Sequence, residues 1–374
     1  MEGLVAGRQN GRDWADAADH WGETLSESVD SSKGTGFWND RPVLVTGCTG
    51  LLGSWLTGAL LSAGAAVVGL IRDEVPQSAL ARSGALQQIR VVHGDVTDYA
   101  TVERALNEYE VEAVFHLAAQ TIVGIANRAP LSTFESNIRG TWVTLEAARR
   151  CPAVHRIVVA SSDKAYGTQP VLPYTEEMPL QGKHPYDVSK SAADLLAQAY
   201  AVTYGLPVAI TRCANLYGGG DLNWNRLIPG TIRSALQGQS PVIRSDGTFV
   251  RDYLYVRDAV RAYMMLAEAL DRPEIRGQAF NCGTDEPMSV LDMTRLILRL
   301  SPHPELAPTV LDEVRNEIKD QYLDSAKIRR AVGWTPVYSR EQALWETIAW
   351  YAGYLAVGTD GAQRIEHAGD IDER

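Results

Sequence analysis

The sequence predicts an α/β fold, in which a doubly wound parallel sheet carries a smaller C-terminal lobe. Short apolar runs rich in β-branched residues alternate with helical patterns between residues 42 and 212. A glycine-rich loop stands between the first strand and the first helix. The run 157–160 is followed by Ser161, Ser162, Asp163 and Lys164, at the point where a parallel strand opens into a crevice. We therefore expect a binding crevice at the carboxyl ends of the strands.

Composition restricts the possible partners. The chain has 374 residues, and 35 Lys+Arg against 46 Asp+Glu give a net charge of -11. This charge argues against non-specific binding to nucleic acid or to an acidic membrane, so local arginines must hold any anionic ligand. No stretch approaches the roughly 20 apolar residues of a membrane-spanning helix. The N-terminus also lacks a secretory pattern, and we expect a cytoplasmic protein.

The cysteines and histidines indicate structural roles. Cys48, Cys151, Cys213 and Cys282 lie far apart in the sequence, which predicts free thiols in a reducing compartment. His93 and His116 each lie in a strand without a partner at metal-ligand spacing. No metal site is expected.

The first loop has the spacing of a dinucleotide site. Gly47, Gly50 and Gly53 let the backbone turn tightly and approach a pyrophosphate at a helix N-terminus. The second strand, 66–71, is followed by Arg72 and Asp73. An acidic residue there receives ribose hydroxyls and an arginine accommodates a 2′-phosphate, so the residues leave NAD+ and NADP+ both open.

A second motif provides a general base. Tyr186 and Lys190 are four residues apart at the start of a helical run and share one face. An ammonium beside a phenol favours phenolate and lowers the pKa of the tyrosine. Such a base can take a proton from a sugar hydroxyl while hydride leaves the same carbon.

Together with Ser162, these motifs resemble the extended short-chain dehydrogenases/reductases that act on nucleotide sugars. The resemblance covers residues 37–353 and implies a Rossmann-like sheet, an NAD+ cofactor (NADP+ remaining open) and a nucleotide-sugar substrate. It also implies that Ser162, Tyr186 and Lys190 are the catalytic serine, tyrosine and lysine.

The resemblance further assigns binding residues. Those expected at the cofactor are Gly47, Gly50, Leu51, Gly53, Arg72, Asp95, Val96, Leu117, Ala118, Ala119, Tyr186 and Lys190. Those expected at the substrate are Gln120, Asn137, Asn215, Arg226, Leu227, Arg244 and Arg251. Arginine suits the diphosphate, because its planar guanidinium makes paired, charge-assisted hydrogen bonds.

The pair Asp163-Lys164 discriminates within this family. Dehydratases carry an acid after the serine, because expulsion of water from C6 needs a proton donor. An Asp-Lys pair, with Phe37-Trp38 and the segment 218–224, is similar to CDP-glucose 4,6-dehydratases. The segment 251–255 is closer to dTDP-glucose dehydratases and epimerases, and 69–72 is closer to GDP-mannose dehydratases. The alternatives are therefore a 4-epimerase, another nucleotide-sugar dehydratase, or a sensor that keeps the fold without catalysis.

If the chain is a 4,6-dehydratase, Asp163 and Lys164 must each meet a requirement. Asp163 must be protonated to act as an acid, which requires a raised pKa, and a paired lysine would lower that pKa. We therefore expect Lys164 to point away from Asp163, towards C5 of the sugar or a bound water, where a neutral amine can serve as a base.

These motifs divide the chain into four predicted segments. Residues 1–36 are predicted to be a flexible extension, 37–214 an NAD(P)-binding domain to which strands around 250–283 return, 215–353 mainly a nucleotide-sugar-binding lobe, and 358–374 a polar tail. The helices 134–149 and 192–204 are expected to pair in a homodimer.

Overall fold

A computed structural model describes residues 36–313 and 318–368, with side chains to residue 356, and the backbone of two short antiparallel strands, Arg8–Gln9 and Arg12–Asp13. The rest of the predicted N-terminal extension and residues 369–374 of the predicted tail lie outside the described residues. The last helix continues to Ala368, into the segment predicted as a polar tail. Within the described part of the chain, no helix is long and apolar enough to cross a membrane.

The centre of the fold is a seven-stranded sheet in which all neighbouring strands are parallel. Its strands are β1 (Pro42–Thr46), β2 (Ala66–Ile71), β3 (Arg90–His93), β4 (Ala113–His116), β5 (Arg156–Ala160), β6 (Val208–Cys213) and β7 (Ala279–Cys282). The spatial order is β7-β6-β5-β4-β1-β2-β3. The order reverses between β1 and β4, which confirms the doubly wound, Rossmann-like prediction and opens the crevice there.

The longer helices are α1 (Leu51–Ser62), α2 (Tyr99–Glu108), α3 (Gly140–Arg150), α4 (Pro185–Tyr204), α5 (Leu227–Leu236), α6 (Val256–Glu268), α7 (Val290–Leu300) and α8 (Arg340–Ala368). Short helical turns are formed by Ala79–Arg82, Ala85–Gln88, Val123–Arg128, Pro130–Phe134, Glu135–Arg139, Asp163–Tyr166, Ala269–Asp271 and Ala326–Val332. Short strands outside the main sheet are Asn215–Tyr217, Val242–Ile243, Val250–Arg251, Tyr253–Tyr255, Met288–Ser289, Thr309–Val310 and Asp320–Gln321.

The helices cover both faces of the sheet, and alternate strand residues serve the two faces. In β1, Val43 and Val45 join the core beneath α1 and α6, whereas Leu44 joins the core beneath α2, α3 and α4. This is the period of two expected for a strand. The all-apolar strands of the sequence are therefore explained by burial on both sides.

One part of the predicted domain division is wrong. Only the strand Ala279–Cys282 returns to the main sheet from the region 250–283. Val250–Arg251 instead pairs with Met288–Ser289 and Asp320–Gln321, and Tyr253–Tyr255 pairs with Asn215–Tyr217. β7 already occupies the edge beside β6, so these short strands find backbone partners in the C-terminal lobe.

A buried ion pair fixes α4 against the sheet. Arg212 of β6 donates two hydrogen bonds to Asp194 of α4, at 2.8 and 3.0 Å, and both side chains are almost fully buried. Arg212 also donates to the hydroxyl of Tyr166, which donates to Asn281 of β7. The pair therefore links α4, β6, β7 and the turn after β5.

We expect Arg212→Leu to lower the free energy of unfolding by about 3–5 kcal/mol, because it leaves the Asp194 carboxylate buried without a counter-charge. Urea denaturation measures this. The matched control is Arg104→Ala, which breaks an exposed pair with Glu108 one helical turn away and should cost at most about 0.5 kcal/mol. Equal losses of unfolding free energy in the two variants would show that the buried ion pair stabilises the protein no more than the exposed one.

Candidate active site at the carboxyl edge of the sheet

The loop between β1 and α1 forms a cradle of backbone N–H groups. Gly47 has a φ of +72°, and a Cβ there would lie 2.9 Å from the backbone of Ala118. A Cβ at Gly53 would lie 2.1 Å from the carbonyl oxygen of Gly47. Gly50 is the N-cap of α1, and no side chain caps this helix end. The open N–H groups, together with the helix dipole, fit the pyrophosphate of a dinucleotide.

The end of β2 favours a cofactor without a 2′-phosphate. Arg72 donates a 2.7 Å hydrogen bond to Asp73, and its guanidinium lies 3.8 Å from the carboxylate of Asp95. Two carboxylates therefore surround one arginine, and the net charge at this end is negative. A phosphate would be repelled, while ribose hydroxyls can donate to either carboxylate.

A buried histidine organises the floor of the crevice. His116 Nδ1 lies 3.0 Å from Thr46 Oγ1, and its Nε2 lies 3.0 Å from Thr141 Oγ1. Thr46 Oγ1 already accepts the N–H groups of Leu117 and Ala118, so its hydrogen points to Nδ1. The ring is then neutral with its proton on Nε2, and burial lowers the pKa of His116 to about 3.

This network corrects the assignment of Asn137. Its Oδ1 accepts the N–H of Gln120 at 2.7 Å, and its Nδ2 donates to the carbonyl of Gln120 and to the Ser189 hydroxyl. Both ends of the amide are thus used inside the protein, and the side chain is buried. Asn137 positions the chain at Gln120 and α4 and is not placed to contact a substrate.

The turn after β5 places an acid in a dry site. Ser162 Oγ donates to Asp163 Oδ1 at 3.0 Å and accepts the N–H of Lys164. Asp163 is almost fully buried, and desolvation raises its pKa, although Lys164, Ser162 and Arg251 oppose this. Its Oδ2 has no hydrogen-bond partner among the described residues. A proton on Oδ2 would therefore be free for donation, as the expected acid requires.

The side chain of Lys164 turns towards the C-terminal lobe. Its ammonium donates a 2.9 Å hydrogen bond to Gln321 Oε1, on the short strand Asp320–Gln321. Lys164 thus takes an amide partner from the C-terminal lobe, although its charge still lowers the pKa of Asp163.

Tyr186 and Lys190 differ from the expected pair. Burial raises the pKa of Tyr186 to about 12, opposed by Arg226 and by a hydrogen bond with Ser162. Lys190 donates to the carbonyl of Ala160 at 2.8 Å, and burial lowers the pKa of Lys190 to about 8. The helical spacing is as predicted, but the ammonium is directed at β5. The predicted fall in the tyrosine pKa is wrong for the protein alone, because desolvation outweighs nearby positive charge.

The arginines and Asn215 expected at the substrate are held in different ways. Arg226 donates hydrogen bonds to Asp221 and Thr121, and its positive charge opposes the rise in the pKa of Tyr186. Arg244 is exposed and donates to Asn225. Arg251 donates to the carbonyls of residues 250, 318 and 319. Asn215 donates to the carbonyl of Asp252, and Leu227 packs against the core.

Sequence reasoning missed the residues that hold Arg226. The carbonyl of Asp221 accepts the hydroxyl of Tyr351 from α8, and the indole N–H of Trp55 donates to the carbonyl of Gly219. These partners are 130 and 164 residues away in sequence from the atoms that they bind. No local pattern could have identified them.

The comparisons with known proteins fit this geometry. Residues 43–283 match the model of the NAD dependent epimerase/dehydratase family, a match that covers more than half of the chain. The chain belongs to this family.

Two relatives that align with most of this chain are named as dehydratases. CDP-glucose 4,6-dehydratase of Salmonella typhimurium is 29% identical over 334 residues, covering 85% of this chain and 92% of the relative. dTDP-glucose 4,6-dehydratase of Xanthomonas campestris pv. campestris is 30% identical over 357 residues, covering 87% and 98%. The resemblance to nucleotide-sugar dehydratases is thus confirmed.

A solved structure bears on the cofactor. The crystal structure of dTDP-glucose 4,6-dehydratase from Streptomyces venezuelae, with NAD and TYD bound, matches with a TM-score of 0.73 and 28% identity, covering 83% of this chain and 97% of that one. The NAD named in the description of this chain's family confirms the predicted cofactor.

The lowered pKa of Lys190 predicts a pH dependence of stability. The folded chain holds this proton less tightly than the unfolded chain, whose lysine pKa is near 10.5. Between about pH 8 and 10.5 the unfolded chain binds more protons, so stability rises with pH through this window. Relative to Lys190→Met, the wild type should gain about 3 kcal/mol across it.

Urea denaturation of both proteins at several pH values measures the difference, and other titrations cancel because both proteins share them. Stability curves that run parallel from pH 7.5 to roughly 10.5 would contradict a buried, depressed Lys190.

Proposed function

We propose that this protein is a nucleotide-sugar 4,6-dehydratase, a hydro-lyase that uses NAD+ and returns it unchanged. The observation that carries the proposal is the Asp163 carboxyl, which is buried, has a raised pKa and keeps one oxygen without a partner beside Ser162. An acid in this state can protonate a leaving hydroxyl. A 4-epimerase does not expel water and has no use for such an acid.

The glycine cradle and the uncapped start of α1 fit NAD+, with its pyrophosphate near Gly47, Gly50 and Gly53. Arg72, Asp73 and Asp95 favour NAD+ over NADP+ at the ribose. Bound NAD+ would supply the hydride acceptor for C4 of the sugar and then the hydride donor for C6, so the overall reaction would be redox-neutral. Its positive charge also favours phenolate at Tyr186.

The protein moves the protons. Tyr186 takes the proton of the C4 hydroxyl, helped by its place at the positively charged N-terminal end of α4. Ser162, whose hydroxyl donates to Asp163 Oδ1 in the protein alone, turns this hydrogen to the C4 oxygen of the bound sugar and stabilises the developing ketone. The ketone acidifies the C5 proton, and the amine of Lys164 takes it after one ammonium proton has left to solvent. The C5–H electrons form the C5–C6 double bond while the C6–O bond breaks, and Asp163 Oδ2 gives its proton to the departing water. When C6 receives the hydride, the ammonium of Lys164 returns a proton to C5, which completes the 4-keto-6-deoxy product.

The diphosphate is proposed to lie against Arg226 and Arg244. Arg226 donates a hydrogen bond to Asp221, and Arg244 donates one to Asn225, the residue before Arg226 in the sequence. Both arginines are therefore bound to the same short segment of the chain. Gln120 and Asn215 complete the sugar pocket in this proposal. Arg251, whose guanidinium binds backbone carbonyls, shapes the lobe around Asp163 and is close enough to lower the pKa of that acid.

CDP-glucose is the proposed substrate. The support is the Asp163-Lys164 pair together with the relative of that name, which aligns over 85% of this chain. A dTDP-glucose dehydratase aligns at 30% identity, against 29% for the CDP-glucose enzyme. A panel of CDP-, dTDP-, UDP- and GDP-hexoses, with product mass measured for loss of water, tests the choice.

We also propose a homodimer formed by α3 and α4. Val188, Leu195 and Val202 are spaced seven residues apart on α4 and are 37%, 56% and 86% exposed. Trp142 on the adjoining α3 is 39% exposed. A row of apolar side chains at this spacing, on two packed helices, suits a second copy of the same surface.

Asp163→Asn should slow release of the 4-keto-6-deoxy product by about 10²–10⁴-fold, because the amide cannot give up a proton. Oxidation at C4 needs only Tyr186 and Ser162, so reduced cofactor should accumulate and absorb in the near ultraviolet. Tyr186→Phe should show neither product nor reduced cofactor. Wild-type turnover by Asp163→Asn would reject the dehydratase and favour the epimerase.

Leu195→Glu should convert the dimer to a monomer, since it places a charge in the centre of the row of apolar side chains on α4. Light scattering after gel filtration measures the mass. Val171→Glu is the control, because Val171 is 62% exposed but lies outside α3 and α4. A wild-type monomer, or equal effects of the two substitutions, would rule out this interface.

A further inference from the structure

We propose that Gln321 is a positioning residue, which aims the amine of Lys164 at C5 of the sugar during water loss. The inference rests on the proposed dehydratase activity and names a part of it that neither the motifs nor the relatives indicate. Gln321 lies 157 residues from Lys164 in sequence and in the opposite lobe.

The contact between the two side chains has a defined direction. Lys164 Nζ donates to Gln321 Oε1 at 2.9 Å. An ammonium has donors only, so the amide must present its oxygen to the lysine and its Nε2 to the other side. The network therefore fixes the orientation of the amide without any further partner.

Gln321 is held rigidly. Its side chain is fully buried, and its strand pairs in parallel with Val250–Arg251. The guanidinium of Arg251 binds the carbonyls of residues 318 and 319, immediately before this strand. The flexible side chain of Lys164 is thus bound to a fixed point of the C-terminal lobe.

The amide nitrogen of Gln321 lies on the side of the amide away from Lys164. Gln321 Nε2 is buried and has no hydrogen-bond partner among the described residues. A buried donor without a partner is destabilising, because it has lost its hydrogen bonds to water. Asp163 Oδ2, on the residue next to Lys164, is buried and unpartnered in the same way. Asp163 adjoins Lys164 in sequence and Gln321 adjoins it through the hydrogen bond, so a sugar hydroxyl that meets either unpartnered atom lies beside the lysine.

The charges facing Lys164 come from several elements. Asp163 stands on its own turn, Asp187 lies on α4, and Arg251 approaches from the C-terminal lobe; each of the two carboxyls feels the lysine charge. A neutral amide as the direct partner keeps a further charge away from this group. A carboxylate in its place would favour the protonated amine, which cannot take the C5 proton.

Two substitutions separate these effects. Gln321→Met removes the acceptor at similar size, and Gln321→Glu keeps an oxygen but adds charge. With Gln321→Met we expect turnover to fall about 10²-fold, the effect of a misplaced reacting group, while C4 oxidation changes less than about threefold and reduced cofactor accumulates. With Gln321→Glu, the pH at which turnover is half-maximal should rise by roughly one unit or more.

The matched control is Gln278→Glu. Gln278 accepts a 3.0 Å hydrogen bond from Lys327 in the same manner, but it lies at the N-terminal end of β7, away from the crevice. This variant should keep the wild-type pH profile and turnover. Rescue of the acceptor is tested by Gln321→Asn, which restores an amide on a shorter side chain and should recover part of the turnover lost in Gln321→Met.

The outcomes are distinguishable. If wild type removes water from no nucleotide sugar in the panel, the proposed function fails, and with it the role of Gln321. If wild type is active and both Gln321 variants keep its turnover, pH profile and oxidised cofactor, only the positioning role is overturned. If Gln321→Met does not fold, as judged by circular dichroism, the pH profile of Gln321→Glu decides alone.

Discussion

The buried pair of Asp194 and Arg212 is the constraint on which the candidate site depends. It joins α4, which carries Tyr186 and Lys190, to β6 at a distance set by two charge-assisted hydrogen bonds. Through Tyr166 the same guanidinium reaches the turn that follows Ser162. Because a separated pair would leave a buried charge, the helix and the turn cannot move apart without a large loss of stability.

Burial then determines the charge states around this frame. Desolvation raises the pKa of Asp163 and of Tyr186 and lowers those of Lys190 and His116, so each group is shifted towards its neutral form. A neutral acid is what proton donation to a leaving hydroxyl needs. A neutral phenol is not yet a base, and the positive charge of a bound oxidised nicotinamide is what shifts it. In the proposed mechanism, the protein alone prepares the acid, Asp163, whereas the base, Tyr186, depends on the charge of the bound cofactor.

The C-terminal lobe completes the site from a distance. α8 supplies Tyr351 to the carbonyl of Asp221, and Asp221 in turn holds Arg226 near Tyr186. The strand Asp320–Gln321 supplies the acceptor for Lys164. The contact between Lys164 and Gln321 joins the two lobes, whereas the contacts of Asp221 with Tyr351 and Arg226 lie within the C-terminal lobe and hold that arginine in place.

The sequence by itself determined the sheet, the glycine cradle and the positions of Ser162, Asp163 and Tyr186, because these follow from local periodicity and from short spacings along one strand end or one helix turn. It could not determine where long side chains point. Asn137 turned inward to Gln120, Lys190 turned to Ala160, and Lys164 turned to Gln321. Tertiary structure alone decided these, since a buried polar atom takes whichever partner the folded chain brings within about 3 Å, however distant in sequence.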